Sequence, residues 1–232
     1  LGVKNIEEIA KEADGIMVAR GDLGVELPIE QLPGIQKKII KVAKYYAKPV
    51  IIATHMLKSM VVAPMPTRAE AIDVANAIYE GVDGIMLSEE TSVGAHPKKA
   101  LEYMDRIARS AEKEREVTEH TLPSIDTKDA IARNAVRLAE KLNAPLIVPT
   151  MMGTSPRRIA KFRPRQSINV VVPVKKTAKF LSLVYGINAK LMDYRPAFEN
   201  LNRMKKTFGI KKAVFVFGYP EGNWETNTIL YY

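Results

Sequence analysis

Three apolar runs in this sequence end in groups that could do chemistry. Met17-Val18-Ala19 leads into Arg20, Gly21 and Asp22, Ile51-Ile52-Ala53 into Thr54 and His55, and Ile85-Met86-Leu87 into Ser88, Glu89 and Glu90. A carboxylate such as Asp22 suits Mg²⁺, which takes a few carboxylates alongside substrate oxygens. Gly21 would let backbone N–H groups approach an anion with no side chain in the way. The Thr54 hydroxyl can donate to a carboxylate. Spacing alone does not separate these roles from plainer ones, because an Asp after a strand also forms turns and caps helices.

Such groups need elements to hold them. Asp14–Ala19, Val50–Thr54 and Asp83–Ser88 read as buried strands. They alternate with helices over 3–13, 29–47, 67–79 and 97–116, the first with Ile6, Ile9 and Ala10 on one face. Thr67 with Glu70 three residues on is a capping box. Residues Arg20 to Val25 read as a loop. The string Asp-Gly-Ile-Met occurs at 14–17 and again at 83–86. Short strands alternating with longer helices predict a parallel α/β sheet or barrel, with chemistry at the C-terminal strand ends.

A polar stretch, 118–127, divides residues 1–117 from residues 118–232. The second part alternates again, with helices near 129–142, 155–162, 178–185 and 198–207. Its strands fall near 145–149, 168–173, 189–192, 213–217 and 228–231, which predicts a separate α/β domain with a mainly parallel sheet. A closed eight-stranded α/β barrel takes about 250 residues. Three strands alone would leave edges and an apolar face unsatisfied. Either they join another sheet or the start of a barrel lies upstream, and a chain opening on Leu1 points to the latter.

Composition narrows the class. The 232 residues are 47% hydrophobic and 26% charged, an ordinary soluble globular balance. No apolar run approaches the roughly 20 residues that cross a bilayer. The helical, mixed-charge opening does not read as a signal peptide. The absence of cysteine excludes disulfides and thiolate metal sites and fits a cytoplasmic protein. The formal charge of +9 could draw phosphorylated metabolites or nucleic acid. The basic residues are spread along the chain, however, and read as solvated helix surface. The densest run, Arg157, Arg158, Lys161, Arg163 and Arg165, is interleaved with Phe162 alone. A solvated helix face or a subunit contact is therefore expected there, and neither a nucleic-acid nor a membrane partner.

Longer strings carry a family resemblance. Met17-Val18-Ala19-Arg20-Gly21-Asp22-Leu23-Gly24 resembles the sixth-strand motif of pyruvate kinases. Lys48 through Thr54, Met56-Leu57, Pro66 through Glu70, Asp73 through Ala77, Asp83 through Ser88 and Glu90-Thr91 come after it in that family's order. Ala160 through Pro164 and Thr226 through Ile229 are similar more loosely. The resemblance implies the end of a TIM (β/α)₈ barrel, residues 1–117, followed by the family's C-terminal domain, 118–232. It implies phosphoryl transfer from phosphoenolpyruvate to ADP, giving pyruvate and ATP in glycolysis, in a cytoplasmic homotetramer that needs Mg²⁺ (or Mn²⁺) and usually K⁺. By motif match, Asp22 would be a metal ligand, and Ala19, Gly21 and Asp22 would line the substrate pocket through their N–H groups. Thr54 would bind the substrate carboxylate or help protonate the enolate. Ser88 would join the proton-relay waters, and Arg68 would lie near a subunit contact. The family's catalytic Lys and second carboxylate ligand fall just before Gly2-Val3, and its K⁺ site also lies upstream, so this chain alone is expected to be inactive.

Three departures stand out: His55 for the usual Gln, Lys58 for Glu, and Glu89 for the Gly after Ser88. Glu89 puts the local loop geometry in question. Thr150, Gly153, Thr154 and Ser155 resemble the loop that grips a sugar-phosphate effector, and an ordinary capped helix start is the competing reading. Met151 and Met152 offer no charge and no side-chain N–H or O–H donor there. The facing loop, 218–224, carries Glu221 and no basic residue, so fructose bisphosphate is expected to bind poorly. A non-catalytic metabolite-binding split or degenerate relative remains the alternative to an enzyme, and another phosphoenolpyruvate-type barrel enzyme is a third.

Overall fold

A computed structural model describes residues 2–115, 123–219 and 226–232. The chain forms two compact units, 1–116 and 117–232.

In the first unit, three four- or three-residue strands lie side by side: β1 (Ile16–Ala19), β2 (Val50–Ala53) and β3 (Gly84–Met86). All pair in parallel in the order β1-β2-β3, with Val18 beside Ile52 and Ile52 beside Ile85. The two Asp-Gly-Ile-Met strings therefore flank β2, with Ile16 beside Val50 and Ile85 beside Ile52. Helices α1 (Ile6–Glu12), α3 (Leu32–Tyr45), α4 (Arg68–Glu80) and α6 (Pro97–Glu114) pack on one face of the sheet. Their apolar faces, including Ile6, Ile40, Ala43, Val74 and Met104, bury Val18, Val50 and Ile52. The opposite face is only partly covered: Met17 and Met86 are exposed, whereas Ala53 between their strands is buried.

Local signals set the helix ends. Thr67 accepts from the Glu70 N–H while Glu70 accepts from the Thr67 N–H, closing the capping box of α4. Gly81 ends that helix with φ 75°, a left-handed conformation that favours glycine. Pro33 stands in the first turn of α3, where no intrahelical N–H is needed. Residues 29–31 form a separate 3₁₀ turn before it.

The segment expected as a loop is helical: α2 spans Arg20–Glu26 and starts directly at the end of β1. Two more short pieces come after the other strands, a 3₁₀ turn at Lys58–Val61 and α5 at Glu89–Ser92.

The second unit has a five-stranded sheet ordered β6-β5-β4-β7-β8. The strands are β4 (Leu146–Pro149), β5 (Ile168–Val172), β6 (Ile187–Leu191), β7 (Val214–Phe217) and β8 (Thr228–Tyr231). All pairs are parallel except β7 with β8. One face, with Leu146, Val148, Val170 and Val216, packs under α7 (Thr127–Lys141), α8 (Thr154–Ala160) and α9 (Lys175–Leu181). The other, with Ile147, Val171 and Phe215, packs against Leu201 and Met204 of α10 (Leu201–Phe208). The chain's positive excess lies in this second unit.

That charge is not simply a solvated helix face. Lys161 and Arg163 are buried. Asp129, fully buried at the start of α7, accepts from Arg158 (2.7 Å), from Lys161 and from the Ile125 N–H (3.0 Å). Arg158 reaches Asp126 as well, at 2.7 Å. Burial pushes the Lys161 ammonium below its ordinary range despite the pull of Asp129. Other cations lie on rings, Arg163 over Tyr185 and Lys205 over Tyr232. Lys161 and Arg163 are buried because an acid and a π-face replace water around them.

Candidate functional site

The register of the first sheet brings its strand ends into one row. Ala19 lies beside Ala53, and Ala53 beside Met86. The residues just past each strand are therefore grouped: Arg20, Gly21 and Asp22 on α2, then Thr54 and His55, then Ser88 and Glu90.

The turn after β2 is unusual. Thr54 and His55 both take the left-handed conformation, with φ of 69° and 55°. For a β-branched residue that region is an outlier, and such strain, about 1–3 kcal/mol per residue, persists only where the surroundings impose it. Here they do. The Arg20 guanidinium donates to the Thr54 carbonyl through Nε (3.1 Å) and Nη2 (2.8 Å), and to the His55 carbonyl through Nη2 (3.0 Å). Its other nitrogen meets both carboxylate oxygens of Asp73 on α4, at 2.9 and 2.7 Å. Met56 Sδ lies 3.0 Å from Nη2.

The Gly21 N–H donates to Thr54 Oγ1 at 2.8 Å. This amide thus faces the threonine instead of standing free for a substrate. The same bond orients the threonine: its oxygen accepts, so its own proton is left to donate elsewhere. A methyl group on Gly21 would touch Thr54 Oγ1 at 3.5 Å, so bare backbone keeps that hydroxyl approachable. Ala19 is half-buried at the head of α2. Asp22 is exposed in its first turn, with no hydrogen bond or ion pair among the described residues.

At the third strand end, Glu90 is buried and accepts from the Leu57 N–H (3.0 Å) and the Ser88 N–H (2.8 Å). It ties α5 to the turn after β2. Ser88 heads α5, and no hydrogen bond joins it to Thr54. Two of the three residues expected to depart from the family pattern meet here. Lys58 and Glu89 form an exposed ion pair. By its hydrogen bond and charge Lys58 holds the Glu89 carboxyl below its usual range, with a smaller pull from His55. The charge of Glu89 is thus matched by that of Lys58.

Arg68 is exposed as the first residue of α4 and has no partner among the described residues. No group of three His, Cys, Asp or Glu side chains able to hold a metal occurs among the described residues. Asp22 nevertheless suits a hard cation as a single donor, being an exposed carboxylate with no competing partner.

In the second unit, Thr150 is buried and its hydroxyl accepts from the Gly153 N–H at 3.0 Å. Gly153 has φ 79°, and a side chain there would press on Leu181 Cδ2 at 3.1 Å and Thr177 Cγ2 at 3.2 Å. Thr154 begins α8, and the Ser155 and Thr226 hydroxyls share a short hydrogen bond. Arg157 turns back to the Gly153 carbonyl (3.3 Å) over the Phe180 ring, whereas Arg158 faces Asp126 and Asp129. Of the facing loop, residues 220–224, with Glu221, lie outside the described residues.

Sequence reasoning marks Asp22, Thr54 and Ser88 but misses Arg20, Asp73, Glu90 and Asp129 as organisers. An arginine set between two pocket residues is a local signal for the first; nothing local ties it to Asp73.

Comparison with known proteins gives consistent matches. Residues 1–101 match the family model described as pyruvate kinase, barrel domain, and residues 129–230 match pyruvate kinase, alpha/beta domain. The chain is 48% identical to a pyruvate kinase of Thermotoga maritima, with 98% of this chain and 51% of the relative covered. It is 40% identical to one of Methanocaldococcus jannaschii, over 98% of this chain and 53% of the relative. Among solved structures, a pyruvate kinase from Cryptosporidium parvum superposes with a TM-score of 0.87 at 35% identity, covering 100% of this chain and 49% of that one. One from Pyrobaculum aerophilum gives 0.86 at 33% identity, covering 99% and 53%. The chain thus spans about half the length of the relatives it matches.

Proposed function

This chain belongs to the pyruvate kinase family, and on that premise we propose that it supplies part of a site that moves the phosphoryl group of phosphoenolpyruvate to ADP, giving pyruvate and ATP. The observation that carries the reading is the Thr54 turn, where a hydroxyl oriented by the Gly21 N–H keeps its proton for a substrate carboxylate. Residues 1–117 act as the last strands of a (β/α)₈ barrel, and residues 118–232 as the C-terminal domain. The exposed apolar side chains of Met17 and Met86 on one sheet face support this, since a barrel would enclose them.

Asp22 serves as one carboxylate ligand of Mg²⁺. When bound, the metal neutralises charge on the transferring phosphoryl group and the forming enolate. Ala19 and Asp22 line the pocket beside Thr54, and Ser88 orders water for the proton delivered to the enolate. A lysine and a second carboxylate would come from beyond these residues, as would the K⁺ site. Arg68 reaches a neighbouring subunit of a homo-oligomer, a tetramer by analogy with the family, and the setting is cytoplasmic glycolysis. The Thr150–Ser155 loop is a candidate effector site. Its backbone donors are partly used internally, and fructose bisphosphate is expected to bind it weakly.

A coupled assay with phosphoenolpyruvate, ADP and Mg²⁺ tests the proposal. Residues 1–232 alone should show no turnover, because transfer of this type rests on positioning and charge stabilisation by groups that this chain only partly holds. A protein of the relatives' full length carrying these residues should turn over, and Thr54→Ala should impair it. Turnover by residues 1–232 alone would show the catalytic groups to be misassigned. An inactive full-length protein would defeat the functional reading itself.

A further inference from the structure

We propose that Arg20 is a positioning residue for this site, a clamp that forces the left-handed Thr54–His55 turn and so aims the Thr54 hydroxyl. The inference deepens the reading of Thr54 given above and rests on it for its catalytic consequence.

The geometry is specific to a guanidinium. Arginine has five N–H donors in a planar fork. Here Nε meets the Thr54 carbonyl, Nη1 meets both Asp73 oxygens, and Nη2 meets the Thr54 and His55 carbonyls. The side chain is 9% exposed, so these acceptors replace water almost completely. Asp73 lies 53 residues away on α4 and fixes the fork from behind. The two carbonyls that it grips belong to the two left-handed residues after β2. A free chain would leave that conformation readily, above all at a threonine. Without the fork, the carbonyls would swing to a more ordinary conformation, and Thr54 Oγ1 would leave the Gly21 N–H. Because Arg20 directly precedes Gly21, one residue governs both partners of that 2.8 Å bond.

Lysine cannot do this. Its three donors radiate from one point and cannot span two carbonyls and a carboxylate in a plane. Misplacement of a substrate-binding group by an ångström can cost about a hundredfold in rate. The clamp should therefore act on handling of the substrate that Thr54 touches and spare that of the other substrate.

Two measurements test it. In the 232-residue chain, amide hydrogen exchange at Gly21 should quicken at least tenfold in Arg20→Lys, with amides of the second unit unchanged. Asp73→Asn, which keeps one acceptor, should give a smaller change in the same direction. In the full-length enzyme, Arg20→Lys should lower kcat/KM for phosphoenolpyruvate about 10- to 100-fold and leave KM for ADP within about twofold. Combined with Thr54→Ala, it should add less than about threefold to the loss, because both changes remove one arrangement. Unchanged Gly21 exchange overturns the clamp, and so does a fully multiplicative double variant. If Thr54→Ala alone leaves kcat/KM intact, the substrate role of Thr54 falls, while the exchange measurement still decides whether Arg20 holds the turn.

Discussion

Removing the carboxylate of Asp129 should expose how the second unit tolerates its charge. In Asp129→Ala, three bonds disappear at once: those from Arg158, Lys161 and the Ile125 N–H. Arg158 retains Asp126 and some access to solvent, so its loss is modest. The Ile125 N–H costs about 1 kcal/mol. Lys161 dominates, because its side chain is 1% exposed and loses its buried anion. Removing one partner of a buried pair typically costs about 3–5 kcal/mol, and the Phe162 ring, 5.2 Å from the ammonium, offsets only part of it. There is also a ceiling, since the ammonium can instead release its proton. From an ordinary value of 10.5, doing so at pH 7 costs about 5 kcal/mol, falling to about 2 kcal/mol at pH 9. The sign is fixed by linkage: a lysine whose folded pKa is depressed binds more protons unfolded, so the variant gains stability as pH rises towards 10.5. Urea unfolding of the 232-residue chain, monitored by circular dichroism at pH 7 and pH 9, measures both numbers. We expect a loss of about 3–5 kcal/mol at pH 7 that narrows at pH 9, and a residual loss of only about 1–2 kcal/mol, from the Ile125 N–H and Arg158, for Asp129→Leu combined with Lys161→Met. A loss below about 1 kcal/mol at pH 7, or one indifferent to pH, would refute the reasoning.

Gly153→Ala should cost about 1–3 kcal/mol in the same assay, since φ is 79° and the methyl meets Leu181 and Thr177. Glu70 is partly buried, yet bonds from Ser59 and Thr67 outweigh that burial and hold its carboxyl below the ordinary 4.5. Its contribution is complete above that value and is lost as pH falls through the lower folded one, so Glu70→Gln should flatten the acid limb of the stability profile. In the full-length enzyme, Asp22→Asn should lower kcat at least tenfold and raise the Mg²⁺ concentration needed for half-maximal rate; normal turnover at unchanged Mg²⁺ demand would remove Asp22 from the metal site.

Much of the fold is legible in the sequence because it is periodic. Apolar strands such as Val50–Ala53, and helices announced by Thr67 or Pro33, carry their signals within a few residues. The stretch Arg20–Glu26 does not. With Gly21, Asp22 and Gly24 it has poor helix propensity and reads as a loop. It is helical beside a tertiary anchor, because Arg20 is tied to Thr54, His55 and Asp73 far along the chain. Glu90 is similar: its bond to the Leu57 N–H joins residues 33 apart. For the site, the motif strings supply residue identities, and the strand register explains why Gly21 and Thr54 meet. That the Gly21 amide is taken up by Thr54 could not be read from spacing. Nor could the pairing of Lys58 with Glu89, two departures that look unrelated until both stand in one place.

The strand order of the second sheet has a consequence for synthesis. Its central strand, β4, is also its first to be made, and its neighbours are β5 and β7. β5 comes soon after, but Val214, which pairs with Leu146, is added 68 residues later. At about 5–20 residues per second, the open side of β4 waits roughly 3–14 s for its partner. Collapse and helix formation take microseconds, so that edge persists through an interval very long on the folding scale. Leu146, Ile147 and Val148 are all fully buried in the finished unit. During translation they form a sticky template, shielded on one face once α7 and α8 are in place. Slow decoding between β5 and β7 would lengthen the exposure and favour aggregation, whereas codons that speed this stretch would raise the soluble yield.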